Sequence, residues 1–278
     1  MQQSEEKVPA QGEILCHYLK DFIPKERTNR IRCHPYSELV VIRQGDVIYT
    51  AGGQTRRLEG GCVIYNRMGS IHNQFVQSTR LYERYKLTFY ADDLLPDGDA
   101  GKLLFQPLSA SFAKELSEED FHAIYTLCRD VSKTARNEFL SPLDRLRIKG
   151  DLLLALLHAD HAEERQTVKE ESYIPSVVKY VNAHLCEKLC LSRIAAEFFV
   201  SKSKLAYDFR AYCNMSIHEY VTMERVEQAK ALLEKGMTVA AVAEALAFST
   251  ASYFIKVFAS VTGTTPLQYQ LSRTHLPY

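Results

Sequence analysis

Leu191-Ser-Arg-Ile-Ala-Ala-Glu-Phe-Phe-Val-Ser-Lys-Ser-Lys-Leu-Ala-Tyr-Asp-Phe-Arg210 and Val239-Ala-Ala-Val-Ala-Glu-Ala-Leu-Ala-Phe-Ser-Thr-Ala-Ser-Tyr-Phe-Ile-Lys-Val-Phe258 carry one local pattern twice. Each reads as a short Ala-rich helix, a tight turn, a Ser or Thr at an N-cap, and a second helix, which is a helix-turn-helix. In the first copy Ile194, Ala195 and Phe198 lie at helical spacing, and Ser201 can accept a bond from an orphan N–H of the next helix. Leu205, Phe209 and Tyr212 then predict a buried face, leaving Lys202, Ser203, Ala206, Tyr207 and Arg210 outward. In the second copy Val239, Val242, Ala243 and Leu246 precede the turn, Thr250 is the expected cap, and Phe254 and Phe258 are the expected buried face. Its outward positions are Ala251, Ser252, Ile255 and Lys256.

Between the copies, Ser216-Ile-His-Glu219 has the spacing of a capping box. Val221, Arg225, Ala229 and Leu232 continue that helix to Gly236, a natural stop. Upstream, Ile174-Pro175 with Val177, Val178, Val181 and Leu185 predicts a further amphipathic helix. A single Ala-rich helix pair is compatible with plain core helices of an all-α domain. A duplicated one with a rigid connecting helix argues for a nucleic-acid reader.

Residues 174–272 resemble the DNA-binding domain of the AraC/XylS family of bacterial transcription regulators. The residues that carry the resemblance are Ala247-Phe248, Ser252-Tyr-Phe254, Phe258, Gly263-Thr-Thr-Pro266 and Tyr269, with Glu224-Arg225, Ala229 and Leu232-Leu233 before them. The resemblance implies sequence-specific binding of duplex promoter DNA through helix-turn-helix units at 191–212 and 239–262. Lys202, Ser203, Lys204, Ala206, Tyr207 and Arg210 would face DNA from the first unit, and Ala251, Ser252, Ile255 and Lys256 from the second. Basic groups set the register on phosphates, hydroxyls and Lys256 offer hydrogen bonds to base edges, and Ala206, Ala251 and Ile255 suit thymine methyls. The two recognition helices would enter major-groove segments roughly 34 Å apart. The chain departs from the pattern at Ala247 and Asn214, where the family usually has Gly, and at Ala259 and Gln270, where it usually has Lys and Arg. Ala247 is therefore expected to carry left-handed strain of roughly 1 kcal/mol. The second unit is expected to lack two phosphate contacts.

The chain has 278 residues, enough for two domains with their own cores. No run of eighteen apolar residues predicts a membrane span, and Met1 to Lys7 is polar, without the apolar stretch of a secretory signal. Seven scattered cysteines suit a reducing cytoplasm; Cys186 and Cys190, one helical turn apart without a second ligand pair, read as structural. The formal net charge is zero, but from Ser172 onward there are 11 Lys plus Arg against 8 Asp plus Glu, leaving 23 against 26 before it. The predicted reader is the basic side. So modest an excess calls for specific contacts or dimerisation rather than indiscriminate coating of DNA.

The N-terminal part changes character. Glu38 to Arg43, Asp46 to Thr50, Cys62 to Tyr65 and Leu81 to Tyr90 are rich in β-branched and aromatic residues, and Gly45, Gly52-Gly53 and Gly60-Gly61 punctuate them. That pattern predicts a small antiparallel barrel or sandwich. His34, Glu38 and Gly45 resemble the first motif of the cupins, with Arg32 in place of its leading His. Gly61, Arg67, Gly69 and His72 resemble the second, with Arg67 in place of a Pro. A cupin-like barrel ahead of the reader is also what the AraC/XylS resemblance implies. Arg32, His34, Glu38 and His72 are the candidate effector-binding residues, suited to an anionic or hydroxylated small molecule. A purely structural, hydrogen-bonded role in the barrel mouth is the plainer reading. A metal-dependent cupin enzyme using His34, Glu38 and His72 is the rival function, opposed by the fixed charge of Arg32.

Ser117 and Ser141 open two helices in the connecting segment, and the second, through Leu146, Ile148, Leu152, Leu153, Leu156 and Leu157, is apolar on more than one face. The expected fold is therefore α+β: a cupin-like β-barrel over 13–110, connecting and dimerisation helices over 117–162, a charged linker over 163–172, and an all-α reader over 174–272. Asp92 to Ala110 reads as loop. The expected molecule is a cytoplasmic, non-enzymatic transcription regulator without cofactor or metal. Its expected partners are promoter DNA, a small-molecule effector, RNA polymerase and a second copy of itself. Control by a protein partner instead of an effector is the other alternative.

Overall fold

The structure is a computed structural model that describes residues 8–22, 31–77, 81–94, 108, 110–137, 139–164 and 172–274. It is α+β, and its layers follow from which strand faces are apolar. β1 (Leu15–Phe22), β8 (Leu81–Phe89), β3 (Ser37–Gln44), β6 (Cys62–Asn66) and β9 (Phe112–Glu115) make one sheet, in that order. β2 (Ile31–Cys33), β7 (Ile71–Val76), β4 (Val47–Ala51) and β5 (Gln54–Leu58) make the second. All pairings are antiparallel.

The centre of β3, Leu39 to Ile42, is unbroken apolar sequence because both its faces are covered. Val40 and Ile42 turn inward, meeting Val47, Tyr49 and Leu58 of the second sheet. Leu39 and Val41 turn outward, onto Ile124, Cys128, Leu152 and Leu156 of two helices, α1 (Glu118–Thr134) and α2 (Pro142–His161). Full burial of such a side chain stabilises by roughly 1.5–3 kcal/mol, so this strand anchors two cores at once. Ser117 caps α1 by accepting from the Asp120 amide at 3.0 Å. Ser141 and Asp144 form a capping box on α2, with Pro142 in its first turn. α2 also leaves Leu143, Leu146 and Leu154 exposed, beside the 90% exposed Phe139.

The reader follows as α3 (Ile174–Ala183), α4 (Leu191–Glu197), α5 (Lys202–Cys213), α6 (Ile217–Glu234), α7 (Val239–Ala245), α8 (Ala251–Thr262) and α9 (Pro266–Thr274). Its core gathers Leu205, Phe209, Tyr220, Val226, Phe254 and Phe258, and it extends to Ile71, Ile31 and Cys33 of the second sheet. The outer face of that sheet thus docks on the reader. The Gly52-Gly53 turn between β4 and β5 reaches furthest: Asn182 Nδ2 donates to the Gly53 carbonyl at 2.9 Å, and the Gly53 amide donates to Glu224 at 3.1 Å. Gly53 has φ +74°, which favours glycine, and a Cβ there would lie 2.9 Å from Asn182 Nδ2 and push that side chain off its carbonyl partner.

Several expectations needed adjustment. Strands β1, β2, β5, β7 and β9 join those read from sequence, and β9 begins at Phe112, just past the expected loop. Of that loop, residues 95–107 and 109 lie outside the described residues, as do 165–171 of the expected linker. Glu164, at the linker's start, is already engaged, ion-paired to Arg56 and bridged to Leu116. On α5 the third buried position is Cys213 rather than Tyr212. Tyr212 is half-buried, its ring 5.2 Å from the Arg57 guanidinium of β5.

Candidate nucleic-acid interface

Both helix-turn-helix units are built by the same hydrogen bonds. α4 ends with the Phe199 amide donating to Ala196 at 3.2 Å and the Val200 amide reaching back to Ala195 at 3.0 Å. α7 ends with the Ala247 amide donating to Glu244 and the Phe248 amide to Ala243, both at 2.9 Å. This closing pattern places one left-handed residue after each helix: Phe199 at φ +54° and Ala247 at φ +51°. The expected strain at Ala247 is present, and Phe199 repeats it. Ser201 then caps α5 by accepting from Lys204 N, and Thr250 caps α8 by accepting from Tyr253 N, each at 3.1 Å. Thr238 caps α7 in the same way at 3.2 Å.

With Leu205, Phe209, Phe254 and Phe258 buried, the opposite faces stand free. Lys202, Ser203, Lys204, Ala206, Tyr207 and Arg210 on α5 are exposed, as are Ser252, Ile255 and Lys256 on α8, while Ala251 is half-buried. Lys204 is not a free charge: it pairs with Asp208 at 2.8 Å, and Asp208 also accepts from Tyr173 OH at 2.7 Å. Lys202, Arg210 and Lys256 make no ion pair among the described residues. Among the described residues the docked sheet meets the far end of α5, where Arg57 donates to the Ala211 carbonyl at 2.8 Å, and its strand β2 packs beside α8. Both exposed faces remain open.

Arg225 on α6 fixes the two units relative to each other. Its guanidinium donates to the carbonyls of Leu185 at 2.9 Å and Glu187 at 2.7 Å, ahead of the first unit, and to Ala247 at 3.1 Å in the turn of the second. Below it the capping box closes, with Glu219 accepting from the Ser216 amide at 2.7 Å and Ser216 from the Glu219 amide at 3.2 Å. Sequence spacing placed Arg225 only as one more position on the helix face. Its bridging role depends on three carbonyls that no local pattern announces.

Inside the sandwich, β2 pairs with β7 so that Arg32 lies opposite His72. The His34 ring is 5.2 Å from that of His72 and stacked on Tyr36 at 4.9 Å. Three of the four expected residues, His34, Glu38 and His72, therefore meet, while Arg32 is exposed. Sequence reasoning missed what completes the cluster. Lys86 pairs with Glu38 at 2.7 Å, Asn66 donates to Glu38 at 3.1 Å, and Tyr49 donates to Asn66 at 2.7 Å. Burial, the largest single influence, opposes ionisation of Glu38, but the Lys86 ammonium, His72 and His34 together outweigh it and hold the carboxyl down to about 2. Burial brings the His72 imidazole down to about 4 despite Glu38 nearby. Lys86 occupies the carboxylate that a metal would need, and no group of three His, Cys, Asp or Glu among the described residues has the geometry to hold one.

A helix-turn-helix domain family model matches residues 194–272, the span of both units and the helix between them. This C-terminal domain is of the AraC/XylS family. Over 238 residues, 84% of its length, the chain is 25% identical to an uncharacterized HTH-type transcriptional regulator of Staphylococcus aureus strain COL, but spans only 31% of that relative. It is 23% identical over 256 residues to the uncharacterized HTH-type transcriptional regulator YfiF of Bacillus subtilis strain 168, covering 84% of this chain and 76% of YfiF. Among solved structures, ToxT of Vibrio cholerae O395 aligns over 95% of this chain and 99% of its own at 10% identity, with a TM-score of 0.38.

Within the AraC/XylS-type domain one expected departure changes meaning. Gln270 donates to the carbonyls of Leu233 at 2.9 Å and Met237 at 3.0 Å, closing the end of α6. A side chain turned to those carbonyls is a fastener, so its lack of charge says nothing about phosphate contacts. Asn214, by contrast, takes the expected left-handed conformation at φ +53° after α5. No helix among the described residues is long and apolar enough to cross a membrane.

Proposed function

We propose that the chain binds duplex DNA sequence-specifically through α5 and α8 and thereby regulates transcription, with the sandwich biasing the reader. The observation that carries this reading is the pair of identically closed turns, each presenting an exposed polar helix face and held together through Arg225. Lys202 and Arg210 supply phosphate contacts, Ser203, Tyr207, Ser252 and Lys256 offer hydrogen bonds to bases, and Ala206, Ala251 and Ile255 offer apolar contact to thymine. The test is selection of the full chain against a random duplex pool, then titration of the selected site at several salt concentrations. Lys202→Ala with Arg210→Ala should flatten the salt slope by up to about 2, and Lys256→Ala by less. Selection without an enriched sequence, or no slope change from either variant, contradicts the assignment, whereas a slope change for Lys256→Ala equal to that of the double variant contradicts the larger share given to α5.

The route of control runs through β7. His72 lies in the polar cluster, and the residue before it, Ile71, donates its amide to Glu227 of α6 at 3.2 Å, while Lys230 of α6 donates to the Gly69 carbonyl. In a small effector that reaches His34, Glu38 and His72 past the exposed Arg32, an anionic group competes with Glu38 for Lys86, and a hydroxyl competes with Lys86 for Glu38. Either exchange shifts the strand that touches the reader. His72→Ala should blunt such a response without altering DNA affinity in the absence of effector. The exposed Leu143, Leu146 and Leu154 of α2 are the face on which a second copy would pack, and dimerisation would double the weak charge bias of a single reader.

A further inference from the structure

A groove of about 590 Å³ opens between the two helix-turn-helix units. That is the size of a small-molecule site, roughly 300–1,000 Å³. Its floor is apolar, with Leu191, Ile194, Val221 and Phe248, and its walls carry Lys188, Arg210, His218 and Arg225, with no Asp or Glu among the lining residues. Arg225 is the telling one. Its donors go to three backbone carbonyls and to no carboxylate among the described residues, and its guanidinium lies 5.7 Å from the Phe248 ring. Burial pulls its pKa below the usual range, as expected for a half-buried cation without a counterion. Lys188 and Arg210 also make no ion pair among the described residues. A phosphodiester backbone can satisfy the charged wall but has no apolar body with which to cover the floor.

We infer that this groove binds a small organic anion with an aromatic or branched apolar body, and that such a ligand and DNA exclude each other. The exclusion follows because Ala206 and Arg210 of α5 and Tyr253 of α8 line the groove and also belong to the two recognition helices. That half rests on the DNA-binding reading above; anion binding does not. Cys190, exposed and on the groove wall, provides a reporter. The Ser192 hydroxyl and the Arg193 amide hold its thiol below the ordinary value, which favours alkylation.

The experiment uses the full chain with Cys186→Ser, so that Cys190 is the one fully exposed cysteine among the described residues. The probe is 1-anilinonaphthalene-8-sulfonate, with N-phenyl-1-naphthylamine as the same body without its charge. The sulfonate should bind at one site, at least about tenfold tighter than the neutral analogue, given a charge-assisted contact. It should also slow alkylation of Cys190 by iodoacetamide, and Lys188→Glu with His218→Glu should abolish both effects. Equal affinity for the two probes, or unchanged Cys190 alkylation at saturation, overturns the site. If the sulfonate binds but leaves the affinity for the selected duplex unchanged, exclusion is overturned. If no duplex binds at all, the DNA-binding reading fails while the probe and alkylation results still decide the anion site.

Discussion

Phe199 and Ala247 share a left-handed backbone that costs a residue with a Cβ roughly 1–2 kcal/mol. Phe199 is 96% exposed, so its side chain offers no packing in return. Glycine at either position relieves the strain but loses roughly 0.5–1 kcal/mol more backbone entropy on folding. Phe199→Gly and Ala247→Gly should therefore each raise stability by about 0.5–1 kcal/mol, read as a higher denaturant midpoint at unchanged slope. A lowered midpoint for Phe199→Gly would mean that the ring has a role the structure does not show. Ala247 was legible in the sequence because its neighbours match a pattern with glycine there. Phe199 was not, since nothing in its own neighbourhood marks the left-handed position until the two turns are overlaid. The Glu38–Lys86 pair was illegible for another reason: β8 brings Lys86 from far along the chain, and alternation alone does not say which charge it meets.

At the scale of elements, the contact between the β4–β5 turn and α6 depends on pH. Burial raises the Glu224 carboxyl to about 7, with Glu227 adding to the rise and the Gly53 amide opposing it. Because the folded pKa lies above the unfolded one, the folded state holds more protons between roughly pH 4.5 and 7. The stability linked to this group is thus full below that window and is lost as pH rises through it. Glu224→Gln keeps an oxygen for the Gly53 amide and removes the titration. Its stabilisation relative to the parent should be larger at pH 8 than at pH 5 in denaturant unfolding; the reverse order would contradict a buried, neutral Glu224. α2 raises a second expectation. Leu146→Glu and Leu154→Glu change exposed positions, so they should leave the fold intact while shifting sedimentation toward a monomer if that face joins two copies. The reader helices were legible because caps and apolar periodicity are local. β5 was not, because Gln54-Thr-Arg-Arg-Leu58 places Arg56 and Arg57 against Glu164 and the reader, contacts its own sequence does not advertise.

At the scale of the whole molecule, the layers run helices, sheet, sheet, reader, and the last boundary is the most polar. Asn73, fully buried on the strand that touches α6, has no hydrogen-bond partner for either side-chain atom among the described residues, and such a group costs about 1–3 kcal/mol. A boundary with that penalty opens more readily than the apolar ones. A chain cut to residues 172–278 should keep its DNA contacts, since the exposed faces of α5 and α8 are not covered by the sandwich. It should unfold at lower temperature than the full chain, because the core side that Ile71 covers is laid bare. Equal melting of the two would mean that the sheet only leans on the reader. Arg225 sets a limit of a different kind. Three carbonyls on one guanidinium make the pair of recognition helices a caliper with fixed jaws. Any duplex gripped by both must offer its two segments at one phase of the double helix. A single added base pair between them turns the second segment away by roughly 35°, at about 10–10.5 base pairs per turn. The protein has no hinge there with which to follow, so the burden of adjustment falls on the twist of the DNA.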